Sequence, residues 1–369
     1  LAGIDSAART IWDAAEYPAK PLIRLAATST SAANRAASCQ ATRSVKSVPI
    51  QRQGRGAGPD TRTSGTHPGP ESRTLSRVPP HLSPLTSHPL TLVFCMPQTI
   101  YLDHAATTPV RPEVLAAMLP FLGEEAFGNP SSAHGFGRTA RSALEAARER
   151  VASAVGASAR EIIFTSGGTE ADNLAILGLA EAAARGGSWD RLHLLSSPTE
   201  HKAVLAALAE AKRRGAQVTY LPVDADGVVD LDALDQALAG QLRGGKPVLV
   251  SVMWVNNEVG TVQSVAAIAE RCRAARVPFH ADAVQALGKV PVDLGAAPCD
   301  VVTISAHKVG GPKGCGALVV RHGRDVRPLI HGGSQQRGIR PGTENVAGVV
   351  GFGVAAELAS AEQPAAARA

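Results

Sequence analysis

From Ile100 onward the chain alternates short apolar runs with longer amphipathic stretches. That alternation restricts the architecture more than any other feature. Seven runs read as strands: 161–166, 192–197, 217–222, 247–255, 277–283, 301–306 and 317–321. Most are built around a continuous apolar run, as expected of strands covered on both faces. Between them, 138–155, 170–184, 201–213, 231–239 and 265–275 carry helical spacing. Such alternation predicts an α/β fold with a seven-stranded, mostly parallel sheet between helices. Ligands of such sheets sit at the carboxyl ends of the strands. Every motif discussed below falls at such an end or in the loop that follows it.

Residues 1–95 do not fit this pattern. They are rich in Ser, Thr, Pro, Arg and Ala, and Pro79-Pro80, Pro84 and Pro89 interrupt any helix. A segment of this kind buries too little apolar surface to offset its ordering entropy. It reads as a disordered or non-native extension, with Met96 as the true start. Its basic, acid-poor composition also describes an organelle transit peptide. The net charge of +5 resides there: 1–95 hold 11 Lys+Arg against 5 Asp+Glu, and the remainder holds 26 against 27. The expected folded part therefore gives no electrostatic case for nucleic acid. No apolar run approaches the roughly 18 residues of a membrane span. Cys39, Cys95, Cys272, Cys299 and Cys315 are odd in number and lack metal-ligand spacing, which suits reduced thiols and a cytoplasmic setting. A mitochondrial matrix location is the alternative if 1–95 is a transit peptide.

Five strand-end motifs carry the chemistry. Thr165-Ser166-Gly167-Gly168-Thr169-Glu170 joins a strand to a helix and can cradle an anion on backbone N–H groups. It lacks the Gly-Lys-Ser/Thr ending of a nucleotide-binding P-loop. Read alone, it is equally an ordinary capped turn. His201, in Pro198-Thr199-Glu200-His201-Lys202, could lie flat on an aromatic ring, although a lone His is more often a cap. Asn256-Asn257 offer amides at a strand end and are also common turn formers. Asp282 ends an apolar strand, where a carboxylate needs a cation or donors. A protonated pyridine nitrogen would serve, and Gln285 can reach the same ligand. Ser305-Ala306-His307-Lys308 precedes Gly310-Gly311-Pro312-Lys313-Gly314 and presents an amine to a carbonyl ligand. Together these features fit one cofactor, pyridoxal 5′-phosphate (PLP).

The residues also carry a family resemblance. Tyr101–Pro109, Phe127–Ser132, Thr165–Asn173, Thr199–Lys202, Val255–Gly260, Ser305–Gly316, His331–Gly333 and Arg340–Asn345 resemble the cysteine desulfurases, fold-type-I PLP enzymes of the class V aminotransferase group. The likeness runs from about Ile100 to about Leu358. It implies that Lys308 bears the cofactor as a Schiff base and acts with His201 in catalysis. Asp282 would meet the pyridine nitrogen, Gln285 the ring phenolate, and His201 the ring face. Gly168, Thr169, Ser305 and His307 would contact the phosphate, with Asn257 a further cofactor contact. Thr343 would reach the phosphate of a second subunit, so a homodimer is implied. No metal is expected.

The family reaction converts L-cysteine to L-alanine. Its sulfur leaves as a persulfide for an acceptor such as an iron–sulfur scaffold or a tRNA-thiolation protein. The implied division is an N-terminal arm over 96–110, a PLP-binding large domain over 111–345, and the start of a linker helix to a small domain over 346–369. The family's sulfur-accepting cysteine and carboxylate-binding arginine lie downstream of the Arg340–Thr343 motif, and none of the five cysteines matches the former. The expectation is a C-terminally truncated chain, inactive in sulfur transfer. Ser334, where the family has glycine, and Gln336, where it has an acid, read as peripheral departures. A selenocysteine lyase or another class V aminotransferase, and a non-catalytic PLP-binding fragment, are the alternatives.

Overall fold

The computed structural model describes residues 100–242 and 244–366. The reading of 1–95 as an extension lies outside the described residues. Helices α1 (Pro112–Met118) and α2 (Gly135–Ala154) precede strand β1 (Ile162–Thr165). Then come α3 (Gly168–Ala184), β2 (His193–Ser196), α4 (Lys202–Arg213), β3 (Gln217–Tyr220), α5 (Leu231–Leu238) and β4 (Leu249–Ser251). The chain continues through α6 (Val265–Ala275), β5 (Phe279–Asp282), β6 (Val301–Ser305), β7 (Gly316–Val320) and α7 (Val346–Ala366).

Local chemistry sets several boundaries. Asp230 caps α5, its carboxylate accepting from the amides of Asp232 and Ala233 at 2.9 and 3.1 Å. The helical pattern expected from 138 begins earlier, at Gly135, because His134 Nδ1 accepts from Gly137 N and starts the helix there. The apolar run 247–255 yields a strand of only three residues. Val252, Met253, Trp254 and Val255 stay buried, and Val252 N and Trp254 N still donate to His280 O (3.1 Å) and Asp282 O (2.8 Å) of β5 beyond the regular strand. Asn256 then turns the chain, accepting from Glu258 N and Val259 N through one oxygen, and Val255 bridges back to Val262.

The sheet order is β1-β7-β6-β5-β4-β2-β3. Strand β2 is parallel to β3 and β4, β4 to β5, and β5 to β6. Strand β7 runs antiparallel to both β6 and β1. Two strands antiparallel to the same neighbour share a direction, so β1 ends at the same edge as β2, β4, β5 and β6. Strand β7 starts there.

Side chains alternate between two apolar layers, as the period of a strand requires. Ile163, Leu194, Val301 and Leu318 pack in the layer that holds residues of α3 and α4. Ile162, Leu195, Val302 and Val319 pack in the layer that holds residues of α2, α5, α6 and α7. The same alternation places His280, Asp282, Thr303 and Ser305 opposite Phe279, Ala281, Val302 and Ile304, on the face covered by α3. The carboxyl end of that face is therefore polar.

Helix α7 starts at Val346. Its first eleven residues are almost all buried, and it packs against α1 and α2 as part of the core, with Glu357, Ser360 and Glu362 exposed toward its end. Phe352 is fully buried, and a Cβ at Gly353 would lie 2.9 Å from Ala147 Cα, so the two helices cross at backbone contact. Truncating a buried Phe costs about 3–5 kcal/mol. Phe352→Ala is expected to lower the unfolding free energy by that amount in a denaturant titration. A loss below about 1 kcal/mol would mean that α7 is a linker outside the cooperative core.

Candidate active site

The loops that leave the shared sheet edge converge. Thr165-Ser166-Gly167 leads into α3, whose first residues are Gly168 and Thr169. With Ala106, Thr107, Glu170, His307, Lys313 and Gly314 they line a cavity of about 410 Å³. Its base is a helix N-terminus, with amides free to bind an anion. Gly168 lies against Val284, where a Cβ would sit 2.9 Å from Cγ2, and a Cβ at Gly316 would lie 2.7 Å from Gly167 Cα. Both glycines thus allow the β1–α3 turn and β7 to close on each other. Glu170 pins the turn, accepting from Ser166 N at 2.7 Å and pairing with Arg340 at 2.9 Å.

Lys308 lies at the end of β6, half-buried. Its Nζ donates to the carbonyls of Ala105 (2.5 Å) and Ala106 (2.9 Å). Burial lowers its pKa, opposed by the attraction of Asp282 and Asp103. The segment before α1 clamps the lysine loop. Thr108 N and Oγ1 both donate to His307 O, and Thr108 Oγ1 accepts from Gly310 N. Gly310 has φ +80°, and a Cβ there would meet the Arg111 side chain at 2.6 Å. His307 Nδ1 lies 3.1 Å from Thr107 Oγ1, and burial lowers its pKa, helped by Lys308, Lys313 and Lys289.

Asp282 is buried at the end of β5, one oxygen accepting from Val284 N at 2.9 Å. Burial raises its pKa, although Val284 N–H, His201 and Lys308 favour the charged form. Gln285 Nε2 donates to Ala105 O at 2.8 Å, and its Oε1 accepts from Lys289 Nζ. His201 is the exposed N-cap of α4, with Nδ1 accepting from Ala203 N at 3.2 Å. Its imidazole reaches the same place as Asp282: one ligand atom each of His201, Asp282 and Asp172 lies within 4.8 Å of the others. Ser305 Oγ is buried without a hydrogen-bond partner among the described residues.

The structure thus gathers Gly168, Thr169, His201, Asp282, Gln285, Ser305, His307 and Lys308 around one edge. Asn257 is not drawn in. Its amide donates to Glu258, and it is Asn256 that is buried, donating to Thr199 O at 2.8 Å and tying two site loops together. Thr343 is exposed and lines no part of the cavity.

Several residues escaped the sequence reading. Ala105 and Ala106 supply the carbonyls that hold Lys308. Asp172 and Glu200 are buried carboxylates, both with pKa raised mainly by burial and further by Asp282. Gln336 is not peripheral. It is buried and accepts from Phe164 N (3.0 Å) and Arg148 Nη1 (2.9 Å), because its left-handed backbone turns it inward. An acidic run would have marked Asp172 and Glu200. An isolated Gln has no such signal.

The sequence model of the aminotransferase class-V family matches residues 100–369, and the chain belongs to that family. It is 49% identical over 267 residues to the cysteine desulfurase IscS of Dictyoglomus turgidum, covering 72% of this chain and 65% of that protein. The corresponding values for IscS of Methanosarcina thermophila are 48% over 265 residues, 72% and 63%. The chain therefore spans a little less than two thirds of these relatives. Among solved structures, a NifS-like protein matches with TM-score 0.69 at 42% identity over 73% of this chain and 72% of that one. SspA in complex with cysteine matches with TM-score 0.65 at 40% identity, covering 70% and 72%.

The family is PLP-dependent, and these residues fit that group. The glycine cradle and helix N-terminus suit its phosphate, the orphaned Ser305 hydroxyl lacks a partner that a ligand would supply, and Asp282 keeps one oxygen for a ring N–H.

The buried His280 bears on pH. It contacts Ser251 Oγ (2.9 Å) and Thr303 Oγ1 (3.0 Å), and burial pushes its pKa down to about 3. Below about pH 6.5 the unfolded imidazole takes a proton that the folded one refuses, so acid favours unfolding. Relative to His280→Gln, the wild type is expected to lose up to about 1.4 kcal/mol per pH unit as pH falls from 6.5 toward 4. Parallel curves of unfolding free energy against pH would contradict a neutral buried imidazole.

Proposed function

We propose that this protein is a PLP-dependent cysteine desulfurase, which removes sulfur from L-cysteine to leave L-alanine. The observation that carries the reading is the facing pair at one sheet edge. The Lys308 amine lies on one side, the buried Asp282 carboxylate on the other, and the α3 amides complete the frame. The identity to two IscS proteins, and the likeness to a structure described as SspA with cysteine, support the choice of substrate.

Bound PLP would supply an electron sink for charge that develops at the substrate's Cα. The protein's part is positioning and proton handling. The N–H groups of Gly168 and Thr169 would hold the phosphate, aided by Thr169 and Ser305 hydroxyls and by His307. Asp282 would hold the ring N–H and favour its protonated form by charge attraction. Gln285, already oriented by Ala105 and Lys289, would face the ring phenolate. His201, fixed as a helix cap, would cover the ring. Lys308, its pKa lowered by burial, is suited to take a proton at Nζ from the bound substrate.

A homodimer belongs to this reading. Leu115, Leu119, Leu122, Phe127 and Phe136 are exposed, more apolar surface than a monomer of this kind usually leaves to water, and Thr343 stands outward where a second subunit could meet it. A sulfur-acceptor protein completes the reaction. Cys272, Cys299 and Cys315 are unbridged, which suits a reducing compartment, and we place the protein in the cytoplasm.

The wild-type chain mixed with PLP is expected to show a visible absorption band. Borohydride should fix the label on the peptide carrying Lys308. Lys308→Ala should lose both the band and the label. A labelled peptide that lacks Lys308 would overturn the assignment.

A further inference from the structure

Asp172 lies one turn into α3, facing the sheet. It is buried, and its Oδ1 has no hydrogen-bond partner among the described residues. An unpaired polar atom in such a place asks for an explanation. The nearest basic group is His280, with Nε2 3.7 Å away. That imidazole is committed to Ser251 and Thr303 on the two neighbouring strands and is held neutral by burial. No lysine or arginine forms an ion pair with Asp172 or Asp282 among the described residues. From α4 the site is faced by His201, from the β2–α4 loop by the buried Glu200, and from β6 by Thr303 and Ser305.

Two carboxylates this close and this dry cannot both be ionised. The surroundings decide which keeps the charge. Asp282 receives a backbone N–H and is attracted by His201 and Lys308. Asp172 receives no backbone N–H; the Thr303 hydroxyl is its one opposing donor, and burial, Asp282 and Glu200 together outweigh it and disfavour its charge. The proton therefore resides on Asp172. A carboxylic acid must place its O–H, and the Asp282 carboxylate, with an oxygen within 4.8 Å, is the charged acceptor on that side.

We propose that Asp172 is a positioning residue for the cofactor's ring nitrogen. It stays protonated, donates its O–H to Asp282, and leaves Asp282 with a single negative charge and one oxygen aimed at the ring N–H. This inference rests on the PLP reading given above. Asn at position 172 can donate in the same way, and Ala cannot. Asp172 keeps one oxygen without a partner and is repelled by Asp282 and Glu200, so its removal should cost little stability, which separates this role from a merely structural one.

The test compares the wild-type chain with Asp172→Asn and Asp172→Ala. PLP affinity is followed by quenching of tryptophan fluorescence, the visible band is titrated with pH, and unfolding is measured without cofactor. Infrared difference spectra of the unloaded proteins report buried protonated carboxylic acids. Asp172→Asn is expected to bind PLP within about twofold of wild type. Asp172→Ala is expected to bind at least about tenfold more weakly and to shift the pH profile, with unfolding midpoint unchanged or higher. Beyond any signal from the buried Glu200, common to all three proteins, wild type should show a protonated-acid band at neutral pH that both variants lack. The proposal is overturned if Asp172→Ala matches wild type in affinity and pH profile, if Asp172→Asn is as weak as Asp172→Ala, or if the infrared band does not change. No PLP binding by wild type would overturn the cofactor reading as well. Normal binding by all three proteins overturns this proposal alone.

Discussion

A carboxylate buried at the end of a central strand constrains everything around it. Asp282 lies where β5 meets the polar edge of the sheet, away from bulk water. Taking a carboxylate out of water costs several kcal/mol unless donors or cations compensate. The structure supplies one backbone N–H from Val284 and the attraction of His201 and Lys308, and it leaves the pKa raised. The compensation is incomplete, and the remainder is what a cationic ring nitrogen would provide. The residues nearby are arranged by that incompleteness. His201 sits within reach, Lys308 is held on the far side by two carbonyls, and Asp172 lies underneath.

The direction of the strands makes this arrangement possible. Because β7 runs against both β1 and β6, the end of β1 arrives at the edge where β5 and β6 end. The α3 N-terminus thus comes beside Asp282 and Lys308 without any long loop. The start of β7 also lies there, and Gly316 packs on Gly167 closely enough to exclude a side chain. One antiparallel strand therefore brings the anion cradle and the amine together. The arm before α1 adds the last wall. Thr108 and Ala105 tie it to the lysine loop and to Gln285.

Much of this was legible from residue types. The seven strands were readable because most are apolar runs bounded by turn residues, with the half-buried edge strand β3 (Gln217–Tyr220) the exception, and the Gly, His and Lys motifs stood at their ends. What was not legible depends on contacts across long stretches of sequence. Asp172 follows Ala171 and precedes Leu174 in a helix, so it reads as an ordinary polar position until α3 is laid on β5. With Asn256 and Asn257 adjacent, only the turn geometry shows which is buried. Gln336 turned inward because of a left-handed backbone that no glycine or asparagine announced. The run ending at Val255 overstated β4 because burial and strand pairing are different things. Trp254 is buried and tied to β5 by a single bond to Asp282 O, while Val255 bridges back to Val262 and not to β5.

Sulfur transfer obeys a separate constraint from cofactor binding. The attacking species must be a thiolate, and thiolate character depends on surroundings. Cys272, Cys299 and Cys315 are all buried, and burial pushes each thiol up to about 12. At neutral pH such a group is ionised on the order of one part in 10⁵. Cys315 is nearest in sequence to the lysine loop, yet it faces the apolar layer opposite the site, among residues packed with α2 and α7. Neither its ionisation nor its direction suits attack on a substrate held at Lys308. The described cysteines are structural thiols. In the proposed reading, holding the cofactor and moving a proton at Cα fall to residues at the sheet edge. Accepting sulfur needs a cysteine in a different environment, exposed and beside a cation.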